Sequence, residues 1–162
     1  MKFKVGFTLL ELLIVISIVS LLLLFSMPSQ RQLYEKNQLK IVSNKLKNAV
    51  QFGRNMAFVH NVALALAPLN NQDWSQGLVL FIDNSNHKPY KDKIIQIWQW
   101  SSHMIQINWQ GFQSAKYLLF SPNLKSASCN GYFLLTTQSN LSKKLILNRF
   151  CYVHNDMQPL DL

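Results

Sequence analysis

The run from Phe7 to Met27 limits this chain most: 21 residues carry a single charge, Glu11, and Pro28 closes them. As an α-helix rising about 1.5 Å per residue, the run is about 32 Å long, close to the roughly 30 Å hydrocarbon core of a bilayer. It therefore has the length to span a membrane. A secretory signal peptide has a shorter apolar region, about 7–15 residues, followed by a small-residue cleavage site, and no Ala-x-Ala exit follows here. A plain anchor has no use for a carboxylate in its apolar run. An ionised carboxylate deep in a membrane helix costs about 2.5–3.5 kcal/mol, so Glu11 calls for a positive partner at the same depth. The apolar segment contains none, but cleavage after Gly6 would give Phe7 a new α-amine in the matching layer of a neighbouring copy.

The residues Gly6-Phe7-Thr8-Leu9-Leu10-Glu11 resemble the prepilin cleavage motif of type IV pilins and type II secretion pseudopilins. Lys2 and Lys4 supply the short basic leader, Gly6 precedes the scissile bond, Phe7 follows it, and Pro28 falls where pilins commonly carry a proline. The resemblance implies removal of residues 1–6 by the prepilin peptidase, N-methylation of Phe7, and storage in the inner membrane until assembly with other pilins. Glu11 would then neutralise the Phe7 amine of an adjacent subunit. The basic residues beside the span point the other way. Two lie on the leader side and five follow it (Arg31, Lys36, Lys40, Lys45 and Lys47), which by the positive-inside rule puts the C-terminal body in the cytoplasm. A leader resembling one read by a peptidase facing the cytoplasm outweighs that count, and the body is expected in the periplasm.

Beyond the span, Leu39, Val42, Leu46, Ala49, Val50, Gly53 and Ala57 recur at three- and four-residue spacing and draw one stripe on a helix. Lys40, Lys45, Lys47 and Arg54 lie largely off it. Residues 28–58 thus continue the membrane helix 7–27 as an amphipathic half, with Pro28 permitting a kink by removing one backbone hydrogen bond. From residue 62 the pattern changes to strands at Val62–Ala67, Gly77–Ile82, Ile94–Trp100, Met104–Gln110, Tyr117–Phe120, Tyr132–Thr137 and Leu145–Val153. In the clearest, Ile105, Ile107 and Trp109 alternate with Gln106, Asn108 and Gln110, giving one buried and one wet face. Polar clusters such as Asn70-Asn71-Gln72-Asp73 and Gln138-Ser139-Asn140-Leu141-Ser142 mark turns. The expected fold class is α+β: a long N-terminal helix whose first half spans the membrane, packed on antiparallel sheet in a β-rich domain over residues 62–162, with the leader pointing to a type IV pilin-like arrangement.

Two cysteines are too few for a disulfide scaffold or a cysteine-based zinc site. A hairpin of the last two strands centred on Asn140 pairs Leu134 with Ile146 and sets Cys129 opposite Cys151. Opposed strand residues hold their Cβ atoms about 4.5–5.5 Å apart, slightly beyond the roughly 3.5–4.5 Å of a disulfide, so a small twist permits a bridge. A bridge fits an oxidising compartment such as the periplasm. The alternative is two reduced, buried cysteines.

No phosphate-binding loop, His-Glu-x-x-His or Cys-x-x-Cys occurs, and His60, His87, His103 and His154 are scattered. The loop Asp83–Lys88 lacks the glycine and bidentate glutamate of a calcium loop. Neither cofactor, metal nor enzymatic activity is expected. Sixteen Lys and Arg against seven Asp and Glu give +9, a field that attracts anionic lipid, nucleic acid or an acidic partner. Lys125, Lys143, Lys144 and Arg149 fall around the terminal hairpin as a candidate DNA contact, with Phe150 and Tyr152 as stacking surfaces. The plainer reading is that they keep the body soluble or meet acidic neighbours.

The body also resembles the GspH/FimT pseudopilin family over most of its length. The similar stretches are Gly53-Arg54-Asn55-Met56-Ala57 running into Val62-Ala63-Leu64, Trp74-Ser75-Gln76-Gly77, Phe81-Ile82-Asp83, Phe120-Ser121-Pro122-Asn123 and Leu145-Ile146-Leu147-Asn148-Arg149. The resemblance implies a minor pseudopilin of the type II secretion system. Its alternative is a FimT-like minor pilin of a type IV pilus that binds DNA during uptake. DNA-uptake members carry Gly-Arg-x-Arg near the C-terminus. This chain has Asn148-Arg149-Phe150-Cys151, keeping one arginine and lacking the second.

Overall fold

The computed structural model describes residues 8–70, 73–100, 104–123 and 126–155, apart from the side chains at 24–30, 92 and 155. The chain divides into two units, Met1–Tyr34 and Glu35–Leu162. One helix, α1 (Leu9–His60), has its first part in one and its second in the other.

Both ends of α1 are capped by residues suited to the task. Thr8 is the N-cap: its hydroxyl accepts the Glu11 N–H at 3.3 Å, and its carbonyl accepts the N–H groups of Glu11 and Leu12. Thr8-x-x-Glu11 is thus the sequence form of a capping box. At the other end Asn61 adopts the left-handed conformation (φ 51°), and the Val62 N–H reaches back to the Ala57 carbonyl at 3.2 Å while the Asn61 N–H reaches that of Phe58. That 6→1 and 5→2 pair is a Schellman ending, with asparagine taking the position usually given to glycine. It explains why the helix continues to His60, past the amphipathic stripe that ends at Ala57.

In the second unit the stripe read from the sequence is buried: Leu39, Val42, Leu46, Ala49, Val50 and Ala57 join one core with residues of both sheets. Gly53 belongs to that stripe because a Cβ there would lie 2.5 Å from the Phe120 ring, itself fully buried.

Among the described residues, eight strands form two antiparallel sheets: β1 (Leu64–Asn70), β2 (Asp73–Ile82), β3 (Ile94–Gln99), β4 (Ile105–Gly111), β5 (Leu118–Phe120), β6 (Gly131–Thr137), β7 (Ser142–Leu147) and β8 (Val153–Asn155). The first sheet has the order β3-β2-β1-β5 and the second β4-β6-β7-β8. In β4, Ile105, Ile107 and Trp109 are buried and the residues between them exposed, as alternation requires. The first sheet is covered on both faces: Leu64, Leu66, Leu78 and Leu80 enter the main core, while Ala65, Ala67, Val79 and Phe81 form a smaller one. The Ser75 hydroxyl links the sheets by accepting the Ile107 N–H at 2.9 Å.

Two sequence expectations are corrected at the C-terminal end. The stretch Leu145–Val153 is two strands, because Asn148 turns the chain: its side-chain oxygen accepts the N–H groups of Phe150 and Tyr152. The β6–β7 hairpin is centred on Ser139 and not Asn140, so Leu134 pairs with Lys144, not Ile146. Its loop is the three residues 138–140 between Thr137 and Leu141, with Asn140 left-handed at φ 61°. A type I turn closed by one left-handed residue is a standard three-residue hairpin loop. The β7–β8 loop repeats it, with Cys151 at φ 60° in the place of Asn140.

Candidate functional site

The expected processing site, Gly6 and Phe7, with the leader 1–6, lies outside the described residues. Glu11 is exposed in the first helical turn, at the third position after the Thr8 cap. A carboxylate there meets the positive end of the helix dipole, so the fold supplies Glu11 with a local role beside the intersubunit one read from the sequence. Every large apolar side chain from Leu9 to Leu23 is solvent-exposed in the isolated chain. The two serines in this stretch, Ser17 and Ser20, turn back on the helix itself, their hydroxyls donating to the Leu13 and Ile16 carbonyls at 2.8 Å each. Back-bonded in this way, neither hydroxyl asks for water. An apolar surface this continuous marks an interface. Among the described residues, no helix is long and apolar enough to cross a membrane, and the expected span 7–27 is only partly among them, since Phe7 and the side chains at 24–27 lie outside. The helix runs through Pro28, whose side chain is not described.

Of the four basic residues read as a DNA contact, Lys125 lies outside the described residues, and Lys143 and Lys144 are divided between the two faces of one strand. Lys143 and Lys144 are neighbours on β7 and so point to opposite faces of the sheet. Lys143 shares the face of Leu145 and Leu147, which enter the core. Burial holds its pKa below the ordinary lysine value, and the charges of Lys40 and Lys47 on α1 push it down further. Lys144 is on the other face, its ammonium 4.0 Å from the centre of the Tyr132 ring. Arg149 is in the β7–β8 loop. Tyr152, read as a stacking surface, carries the Arg54 guanidinium 3.7 Å from its ring centre. What the fold assembles is a different group, Lys40 and Lys47 with Lys143, and the helix lysines were visible in the sequence only as residues off the apolar stripe.

Cys129 and Cys151 are bridged, with Cα atoms 5.1 Å apart. The β6–β7 ladder register alone would not oppose them; the extra turn at Asn148 brings Cys151 across. Glu35 is a residue that sequence reasoning missed. It is 1% exposed, and its carboxylate accepts the Ser139 N–H at 3.2 Å, tying α1 to the tip of the β6–β7 hairpin. A lone glutamate in an amphipathic helix gives no signal of a partner 104 residues away. His87 meets Asp83 at 2.8 Å and stacks on Tyr117. Among the described residues there is no cluster of metal-ligating side chains. A groove of about 240 Å³ is lined by Asn48, Phe52, Gln96 and Trp98, none of them an acid or base.

The fold is similar to that of the type IV minor pilin FimU of Pseudomonas aeruginosa strain PAO1. Against its crystal structure in space group P21 the TM-score is 0.60 at 14% identity, over 75% of this chain and 90% of that one. Against the P65 form it is 0.55 at 13% identity, over 73% and 92%. No protein-family model matches the chain, and comparison with curated proteins gives no match. The chain has a type IV pilin-like α+β fold.

Proposed function

We propose that this chain is a minor structural subunit of a pilin-type filament, not an enzyme. It is made with the leader 1–6, cut between Gly6 and Phe7 by the prepilin peptidase, N-methylated on Phe7, and held in the inner membrane by residues 7–27. Residues 28–58 carry the helix on into the periplasm, where the β-rich part 62–162 folds. The observation that carries the reading is the pilin-like fold joined to an exposed apolar helix with Glu11 in its first turn. Likeness to two FimU structures favours a type IV pilus as the filament. The GspH-like motifs support the second reading, a type II secretion pseudopilus.

The test separates two roles of Glu11. Glutamine at this position keeps a capping box but removes the charge that would meet a neighbour's Phe7 amine. Glu11→Gln and Glu11→Ala are expected to insert in the membrane normally and to fall at least about tenfold in sheared filaments, because the buried amine loses its counter-charge. Normal recovery of the glutamine variant would reduce Glu11 to a helix cap and overturn the assembly role.

A further inference from the structure

Along α1, Lys40, Lys47 and Arg54 recur every seven residues. Seven residues advance a helix by about 10.5 Å and return it to within about 20° of the same direction. The three cations therefore stand in a row. Lys143 approaches this row from β7, close enough for its charge to feel Lys40 and Lys47. The contact of His87 with Asp83 involves none of these lysines. From Arg31 to His60 the helix holds one acid, Glu35, which is buried against the β6–β7 turn.

We propose that the row Lys40, Lys47 and Arg54, with Lys143 beside it, docks an acidic helix of a different subunit, whose carboxylates recur every seven residues. The inference rests on the filament reading, in which long helices lie side by side. Helices packed at a shallow angle of about 20° keep such rows in step over several turns. A second copy of this chain does not fit as the occupant, since the only acids on its α1 are Glu11 and the buried Glu35, which form no seven-residue row. Nucleic acid fits less well. A duplex strand presents a phosphate about every 3.4 Å along the axis, roughly three times denser than this row. Two of the rings that could stack on bases are already engaged, Tyr152 by Arg54 and Tyr132 by Lys144, while Phe150 stays exposed.

The test uses the full chain in lipid nanodiscs and fluorescent stapled helices. One probe carries glutamate at every seventh position; its isomer carries the same glutamates at every fifth, spread around the helix. The seven-spaced probe is expected to bind at least about tenfold more tightly than the isomer, and the binding to weaken with salt. Lys40→Glu with Lys47→Glu is expected to lose that probe and gain one with lysine at every seventh position. Equal binding of the two isomers, binding of neither, failure of the charge swap, or tighter binding of a DNA duplex would each overturn the proposal. None of these readouts involves filament entry, so the docking row and the filament reading fail separately.

Discussion

Lys143 illustrates how little a single position reveals until its neighbours are in place. Its folded pKa lies below the ordinary lysine value, first through burial and then through Lys40 and Lys47. Below the folded pKa, folding confines a charge where it is disfavoured. Between the folded pKa and the ordinary value near 10.5 the unfolded chain holds a proton that the folded chain has released, so this group's contribution to stability rises with pH. Side-chain NMR titration is expected to find Lys143 below the ordinary lysine value, and Lys40→Met with Lys47→Met to raise it only part of the way, because burial remains. A Lys143 that titrates like an exposed lysine would contradict this. The sequence shows Lys143 as a cation between a turn cluster and a strand beginning at Leu145, whereas it lies on β7. It does not show the helix lysines beside it, just as it does not show that Glu35 meets Ser139, because contacts between distant segments follow from packing and leave no local pattern.

Among the elements, periodicity is legible wherever one face is buried. The α1 stripe and the alternation of β4 are both readable for that reason, since burial imposes the period. Loop conformation is less legible. The shift in the β6–β7 register and the split of the last strand come from single left-handed residues, Asn140 and Cys151, and from the Asn148 side chain. The bridge spans a sequence separation of 22 residues. Cys129→Ser with Cys151→Ser is expected to lower stability by about 3 kcal/mol, read by chemical denaturation of the full chain in detergent. Replacing Cys151 by glycine in place of serine should return about 1 kcal/mol, since glycine accepts a positive φ without penalty. Equal stability of the two double variants would mean that the backbone conformation at 151 costs nothing.

For the whole molecule, the fold class is legible because helix and strand periods occupy separate parts of the chain. The compartment is less so, since the basic residues after the span argue against the leader motif. If the proposed topology holds, a C-terminal reporter is expected to be active outside the cytoplasm, and Cys129 and Cys151 to react with thiol reagents only after reduction. A reporter active only in the cytoplasm would reverse the topology. The basic row along α1 carries one more consequence, for stoichiometry. Each further copy laid beside the last would add positive charge to an already positive column, so the work of extension grows with every addition. On the filament reading, such a chain suits solitary insertion among unlike neighbours and resists forming a homopolymer.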